Sequence, residues 1–222
     1  MFDRSRFSRR RLLQLSGSVG IAVVATGHSG YATAQVGTPI VATGEAPMLA
    51  EQVAAGALPA LAERLPTNPM VVRPHEEIGT YGGQWRTALV GGDDTSWLDR
   101  TSGYDGLVRW DLEWNEPIPN VAESYEISDD ALSYTFTLRR GMKWSDGAPF
   151  TSADIEFYVN DFYRDPDLNT GLGPNPFTIE VVDDVTFIIT YEQPNGFALG
   201  EMAQDAGQEW VRYPRHYLEQ FH

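Results

Sequence analysis

The sequence contains no cysteine among its 222 residues. Disulfides, thiolate zinc sites, iron–sulfur clusters and thiol nucleophiles are therefore excluded, as is anchoring through a lipidated N-terminal cysteine. Histidine is also scarce, with four residues at positions 28, 75, 216 and 222. They form no HExxH pattern or other metal-ligand spacing. The sequence therefore predicts neither a metal centre nor a cofactor.

Basic side chains are few. The chain has 16 lysines and arginines against 31 aspartates and glutamates, a formal net charge of -15. A surface of this sign repels phosphate backbones and anionic lipid, so we predict no nucleic-acid partner. The acidity itself indicates only solubility. A hydrophobic content of 42% with 12% aromatic residues is typical of a folded globular protein.

The apolar stretch near the N-terminus is short. Five arginines lie between positions 4 and 11, a glycine-diluted apolar stretch spans Leu12 to Gly27, and the small residues Ala32 to Ala34 follow. A basic, an apolar and a small-residue region in this order are typical of an export signal. The alternative, a transmembrane anchor, needs roughly 20 strongly apolar residues. We therefore predict a signal peptide at residues 1–34, cleaved after Ala34, and a periplasmic location.

The export route is indicated by the residues from Ser8 to Leu13, SRRRLL. They resemble the twin-arginine signature, so we expect the twin-arginine export machinery to be a partner. Removing five arginines and one aspartate from the totals leaves 11 basic and 30 acidic side chains in residues 35–222, a net charge of -19.

Enzyme motifs are missing as well. No P-loop, GxGxxG or GxSxG pattern occurs. Asp165–Asn169 is similar to the start of a calcium loop, but Thr170 and Pro176 at its sixth and twelfth positions exclude an EF-hand. Adjacent acidic pairs could suggest glycosidase carboxylates, but neighbouring turn residues point apart, so turn formation is the better interpretation. These pairs are Asp93-Asp94, Asp129-Asp130 and Asp183-Asp184. We predict that the protein is not an enzyme.

The pattern along the chain is a mixture of short helices and hairpin strands. Residues 47–66 predict two short helices, separated at Gly56 and Pro59 and ended by Pro66. A last helix is predicted to begin at Pro214. Strands are predicted at residues 83–90, 106–111, 124–127 and 132–138, and in a hairpin over residues 178–191. The predicted fold class is α+β, within the broad α/β class, without an internal repeat.

One stretch, RRGMKWSDGAPFTSADIEF at residues 139–157, combines a strand end, a turn and a capped helix. Gly141 suits a backbone position that bulky residues resist, and Asp146-Gly147 is a strong turn signal. Thr151 is a good N-cap, and Asp154 is placed as its capping partner. Loss of that cap is expected to cost about 1 kcal/mol.

The same stretch continues into an apolar helix face. Its apolar residues recur at i, i+3, i+4 and i+7, namely Ile155, Tyr158, Val159 and Phe162. Trp144 and Phe150 are expected to fill the core between strand and helix. We therefore interpret the stretch as scaffold rather than as a binding site.

This stretch, as LRRGMKWSDGAPFTSADIEF, closely resembles the signature segment of the family 5 solute-binding proteins of ABC importers. The neighbouring segments GGQWRTAL, YDGLVRWD and PIPNVAESYEISDDALSYTFTL resemble the same family. The resemblance runs from about Glu77 to the C-terminus. It implies a receptor with two α/β lobes that binds peptides, oligosaccharides, nickel complexes, haem or opines in the cleft between them and delivers them to a permease.

The resemblance also implies an organisation for this chain. Residues 1–34 are the signal peptide, 35–78 a linker with short helices, and 79–222 the N-terminal lobe, with the second lobe largely absent. We expect a monomeric receptor for an oligopeptide or oligosaccharide whose further partners are ABC permease subunits. The alternative is an exported carbohydrate-active enzyme or a structural periplasmic protein.

The candidate binding residues lie in the loop GGDDTSWLDRTSGYDG. Trp97 and Tyr104 offer flat faces for stacking a sugar or a side chain, and Asp93 or Asp94 can accept hydrogen bonds. The resemblance places this region near the cleft. The alternative is that Trp97 and Tyr104 are core aromatic residues. Three other tryptophans are expected to fill cores, namely Trp85, Trp110 and Trp144.

Overall fold

The structure of the chain is a computed structural model. It describes residues 45–103, 105–168 and 176–222. The predicted signal peptide, the beginning of the predicted linker and the candidate residue Tyr104 lie outside the described residues. In the part of the chain that the structure describes, no helix is long and apolar enough to cross a bilayer.

Within the described residues, six short strands form two antiparallel sheets. One sheet pairs β1 with β2, and the other has four strands in the order β3-β4-β6-β5. The strands are β1 (Val108–Trp110), β2 (Pro117–Pro119), β3 (Ala122–Ile127), β4 (Ser133–Leu138), β5 (Phe177–Val181) and β6 (Thr186–Tyr191). The predicted hairpin over residues 178–191 is confirmed as β5 and β6. Its turn is held by Asp183, whose Oδ1 accepts the backbone N–H groups of Val185 and Thr186 at 2.9 and 2.8 Å.

Short helices flank the strands. They are α1 (Pro47–Ala54), α2 (Leu61–Arg64), α3 (Thr95–Ser102), α4 (Ser152–Phe157), α5 (Ala198–Met202) and α6 (Arg215–Leu218). Helix α4 continues as a π-helical turn over Tyr158–Tyr163, and 3-10 turns cover Gly92–Asp94, Asp205–Val211 and Glu219–Phe221. The predicted break between α1 and α2 and the start of α6 after Pro214 are both confirmed.

The strand predicted at residues 83–90 is wrong. No strand is assigned there, every residue of the segment is exposed, and Trp85 keeps 65% of its surface exposed. A strand needs a neighbour to satisfy its backbone groups, and none of the described strands pairs with this segment. Ala88, Leu89 and Val90 are consecutive apolar residues, so the segment lacks the alternation that indicates a half-buried strand.

The core lies between the four-stranded sheet and α4. Tyr134, Phe136 and Leu138 of β4 are at most 1% exposed, as the alternation predicts. Phe136 stacks on Phe187 of β6, with ring centroids 5.3 Å apart and planes at 16°. Ile155 of α4 is fully buried against this cluster. Burial of side chains of this size stabilises the fold by roughly 1.5–3 kcal/mol each.

The stretch at residues 139–157 is built as scaffold. Gly141 and Gly147 have φ angles of 83° and 91°, in the left-handed region where glycine is favoured. The Thr151 N–H donates to Asp154 Oδ2 at 2.8 Å, which confirms the capping partner. Trp144 packs edge-on against the buried Phe150, with ring centroids 5.2 Å apart.

A buried arginine attaches the segment before the sheet to β4. Arg139 is 8% exposed, and its guanidinium donates to the carbonyls of Asn120 and Asn68, both at 2.7 Å. The Thr67 N–H donates to the Arg140 carbonyl at 2.8 Å. Because Arg139 lies in a partly desolvated site, its pKa is lowered from the ordinary value of an arginine. These bonds fix residues 67–68, which lead towards the predicted binding loop.

Candidate ligand-binding site

The candidate loop begins with a 3-10 turn at Gly92–Asp94 and continues as α3. Asp93 and Asp94 both lie in the turn. The Asp94 Oδ2 accepts the backbone N–H groups of Val90 and Gly91 at 2.6 and 3.2 Å. Asp94 therefore holds the turn in place, and only its Oδ1 is left to accept a bond from a ligand.

Trp97 lies on the first turns of α3 and is 39% exposed. It does not belong to the buried hydrophobic cluster of the described residues. The alternative of Trp97 as a core residue is therefore wrong, and its side chain is accessible for stacking. Near the C-terminal end of α3, the Thr101 hydroxyl donates a hydrogen bond to the Trp97 carbonyl at 2.8 Å.

The partner of Trp97 is a residue that the sequence pattern assigns to a core. The rings of Trp85 and Trp97 lie 5.4 Å apart, centroid to centroid, with their planes at 51°. With Trp85 65% exposed, the prediction that it fills a core is wrong. Two tilted indole rings with accessible faces form an open aromatic pair, which can contact an apolar face of a ligand on more than one side. We refer to Trp85 and Trp97 as the indole pair.

The four predicted site residues thus have different outcomes. The structure brings Asp94 and Trp97 onto one turn-and-helix unit and adds Trp85 to them. It places Asp93 in the same turn without describing its side chain, and Tyr104 lies outside the described residues. The role of all four in ligand binding stays a prediction.

Shifted pKa values occur in the core and in turns, away from the indole pair. Burial raises the pKa of the Tyr158 and Tyr191 phenols above the usual range of tyrosine. Hydrogen bonding lowers the pKa of Asp130, Asp146 and Asp183, and for Asp146 the largest contribution comes from His216, whose Nε2 lies 2.7 Å from Oδ2. These shifts belong to structural contacts. Within the residues that the structure describes, no group of three or more His, Cys, Asp or Glu side chains is placed to hold a metal ion.

A polar groove of about 360 Å³ lies between α4, its π-helical continuation and the C-terminal turns. The sequence did not predict it. Its polar lining consists of Glu156, Asn160, Asp161, Arg215, Glu219 and His222. Most of these groups bond to one another, for example Arg215 Nε to Glu219 Oε2 at 3.2 Å and His222 Nε2 to the Asp161 carbonyl at 3.0 Å. The groove contains none of the predicted site residues.

Comparison with known proteins relates part of the chain to a family of solute-binding proteins. Residues 116–215 match the profile of the bacterial extracellular solute-binding proteins, family 5. Over these residues the chain is similar to that family. The match includes the predicted signature at residues 139–157, so the resemblance seen in the sequence is confirmed. Family 5 proteins are solute-binding proteins and not catalysts, in agreement with the prediction of no enzyme.

Individual relatives bind different solutes. The chain is 32% identical over 167 residues to the periplasmic alpha-galactoside-binding protein of Rhizobium meliloti, covering 64% of this chain and 24% of that protein. The structure of the present chain resembles that of the oligopeptide-binding protein OppA, with a TM-score of 0.71 and 36% identity. This match covers 81% of this chain and 28% of the OppA chain. The structure also resembles that of the periplasmic binding protein MelB of Agrobacterium fabrum C58 in complex with stachyose, with a TM-score of 0.59 and 29% identity. This match covers 79% of this chain and 30% of the MelB chain.

These matches confirm the mixed α and β class and relate it to periplasmic binding proteins over part of their chains. The chain spans 24% of the length of the alpha-galactoside-binding protein, and 28% and 30% of the chains of OppA and MelB. The division into a linker at residues 35–78 and one lobe at residues 79–222 stays a prediction.

Proposed function

We propose that the full-length protein captures an oligosaccharide or an oligopeptide outside the cytoplasm and delivers it to the permease subunits of an ABC importer. The observation that carries this proposal is the indole pair, two exposed tryptophans 5.4 Å apart in a chain similar to the family 5 solute-binding proteins. Exposed indoles next to hydrogen-bonding groups suit both the apolar face of a sugar ring and an apolar peptide side chain.

Both ligand classes are supported by the named relatives. The alpha-galactoside-binding protein and the stachyose complex support a sugar, whereas the oligopeptide-binding protein supports a peptide. Titration calorimetry of the full-length mature protein with stachyose and with a mixture of short peptides decides between them. Absence of binding to either class contradicts the proposal.

The indole pair is proposed to line one wall of the ligand cleft, together with Asp93, Asp94 and Tyr104. A receptor of two lobes gains affinity because closure buries most of the ligand surface and excludes water. The 222-residue chain alone is therefore expected to bind at best very weakly. Tight binding of stachyose or of the peptides by this chain alone contradicts the two-lobe proposal.

Export is proposed to follow the twin-arginine route, with cleavage after Ala34. The double change of Arg9 and Arg10 to lysine keeps the positive charge but removes the twin-arginine signature. We expect the variant to remain in the cytoplasm, as measured by cell fractionation. Normal periplasmic accumulation of the variant would contradict the twin-arginine route. It would not contradict the prediction of a signal peptide.

A further inference from the structure

Two aspartates of the candidate loop, residues 91–106, are held in different ways. Asp94 uses its Oδ2 to hold its own turn, through two backbone N–H groups. Asp105, the next-to-last residue of the loop, is bonded instead from outside the loop. Its Oδ1 accepts the side-chain amide of Asn120 at 3.1 Å. This bond orients the Asp105 carboxylate and leaves Oδ2 to accept bonds from a ligand.

Asn120 is a buried residue, directly after β2, that makes hydrogen bonds in several directions. It is 7% exposed. Its side-chain amide also donates to the Gly106 carbonyl at 3.1 Å, and its backbone N–H donates to the Leu107 carbonyl at 3.0 Å. Its own carbonyl accepts Nε of the buried Arg139 at 2.7 Å. Because a buried amide cannot replace lost bonds with bonds to water, Asn120 presents a fixed donor to Asp105.

The main chain beside Asp105 is fixed as well. A Cβ added to Gly106 would lie 3.1 Å from the Met202 carbonyl oxygen, so the chain is closely packed at this point. The next residue, Leu107, is fully buried. Asp105 therefore leaves the core at a defined position, and Asn120 sets the orientation of its carboxylate.

A carboxylate held in this way is suited to the hydrogen-bond donors of a ligand. Ordering a mobile side chain on binding costs free energy, and the bond from Asn120 restricts Asp105 before the ligand arrives. A carboxylate only accepts hydrogen bonds, so its partners are hydroxyl, amine or amide groups. An oligosaccharide offers the first, and an oligopeptide offers the other two. Asp105 also belongs to the loop that carries Trp97 and directly follows Tyr104, both predicted to bind the ligand.

We propose that Asp105 is a ligand-binding residue and that Asn120 is the positioning residue that orients it. Asp105 Oδ2 accepts hydrogen bonds from hydroxyl, amine or amide groups of the solute, while the indole pair contacts its apolar face. This inference rests on the proposed function and adds a polar contact to it. It also separates the roles of the two carboxylates, because Asp94 is occupied in holding its turn.

The test is titration calorimetry of the full-length mature protein with stachyose and with a mixture of short peptides. Asp105→Asn keeps the size of the side chain and a carbonyl that can accept the Asn120 amide, but it places an NH2 group where the ligand needs an acceptor. We expect the affinity to fall roughly 10- to 100-fold, as for a lost hydrogen bond to a charged group. A fall with stachyose indicates hydroxyl donors, and a fall with the peptides indicates amine or amide donors.

A double-mutant cycle tests the positioning role. Asn120→Ala alone is expected to lower the affinity less, roughly 3- to 10-fold, because the Asp105 carboxylate remains but is no longer oriented. Combined with Asp105→Asn, it should lower the affinity little further, since the carboxylate that it orients is already gone. Additive effects of the two substitutions would overturn the positioning role. Should the alanine variant not fold, Asn120→Asp replaces it, because it keeps the size of the side chain and removes the donor.

Controls separate ligand contact from folding and from net charge. Asp129→Asn removes the same charge from an exposed turn outside the candidate loop and is expected to leave the affinity unchanged. The melting temperature of ligand-free Asp105→Asn should equal that of the wild type. Unchanged affinity of Asp105→Asn for a solute that the wild type binds overturns the inference, as does a fall that Asp129→Asn reproduces or that accompanies a marked loss of melting temperature. If the wild type binds neither ligand class, it is the proposed function that fails.

Discussion

Asp154 accepts the backbone N–H of Arg215 through Oδ1 at 2.9 Å, while its Oδ2 accepts the N–H of Thr151 at 2.8 Å. One carboxylate therefore caps α4 and also fixes the start of α6, which lies 61 residues away in the sequence. Asp154 is only 5% exposed, so water cannot replace either bond. The pair explains why the C-terminal turns lie against α4.

Asp154→Ala is predicted to be more destabilising than the loss of a simple cap. The sequence predicts about 1 kcal/mol for the cap, but the structure adds a second bond to the same buried carboxylate. Because hydrogen bonds to charged groups contribute more than neutral ones, we expect the free energy of unfolding to fall by about 3 kcal/mol. Urea denaturation measures it. Asp154→Asn keeps one acceptor oxygen, so its stability should lie between those of the wild type and Asp154→Ala. A loss below about 1 kcal/mol for Asp154→Ala would contradict the double role of the carboxylate.

Arg139→Ala is predicted to release the segment at residues 67–68 from the sheet. The substitution leaves the carbonyls of Asn120 and Asn68 without their donor, so we expect a loss of about 2–4 kcal/mol in stability. Hydrogen exchange at the Thr67 N–H should become faster. Arg139→Lys should restore little, because an ammonium cannot donate in the forked geometry of a guanidinium.

The neighbouring Arg140 offers a matched control for this experiment. Its side chain is exposed, and only its main-chain carbonyl bonds to Thr67. Arg140→Ala is therefore expected to change stability by less than about 0.5 kcal/mol. Equal effects of the two substitutions would show that charge, and not the buried hydrogen bonds of Arg139, holds the segment.

Trp97→Ala is predicted to affect ligand binding more than folding. Since Trp97 is 39% exposed and outside the buried cluster, its removal should not reproduce the roughly 3–5 kcal/mol expected for a core tryptophan. If it stacks on the ligand, calorimetry on the full-length protein should register a loss of about 1–2 kcal/mol in binding. Trp85→Ala should behave similarly and Trp85→Phe should retain most of the affinity. A large drop in melting temperature for Trp97→Ala would contradict this prediction and indicate a role of Trp97 in folding.

Stability is predicted to decrease in acid. The pKa values of Asp130, Asp146 and Asp183 are lowered by hydrogen bonds that the carboxylates accept, mainly from Ser128, His216 and the Val185 backbone respectively. A lowered pKa means that these groups stabilise the folded state above the unfolded pKa of about 3.9 and lose this contribution as the pH falls through the folded values.

Urea denaturation between pH 6 and pH 2.5 measures this dependence. The triple variant with asparagine at positions 130, 146 and 183 is expected to be less stable at pH 6 and to show a flatter decline below pH 4. Parallel curves for the wild type and the variant would contradict the assignment.

The sequence by itself determined the features that depend on near neighbours. The turn at Asp146-Gly147, the cap of Asp154 on Thr151 and the buried face of β4 involve residues within a few positions of one another, so local propensity and alternation predicted them. The family signature at residues 139–157 is likewise a contiguous pattern, and it was enough to indicate the similarity to the family.

Only the tertiary structure decided which residues meet across the chain. The bonds of Asp154 with Arg215 and of Arg139 with Asn68 span 61 and 71 positions, and no local pattern encodes which backbone group a buried charge will reach. The same holds for Trp85, an apolar side chain in a strand-like segment that stays exposed because no described strand pairs with it. Composition indicates that such a ring prefers burial, but its location depends on which surfaces the fold brings next to it.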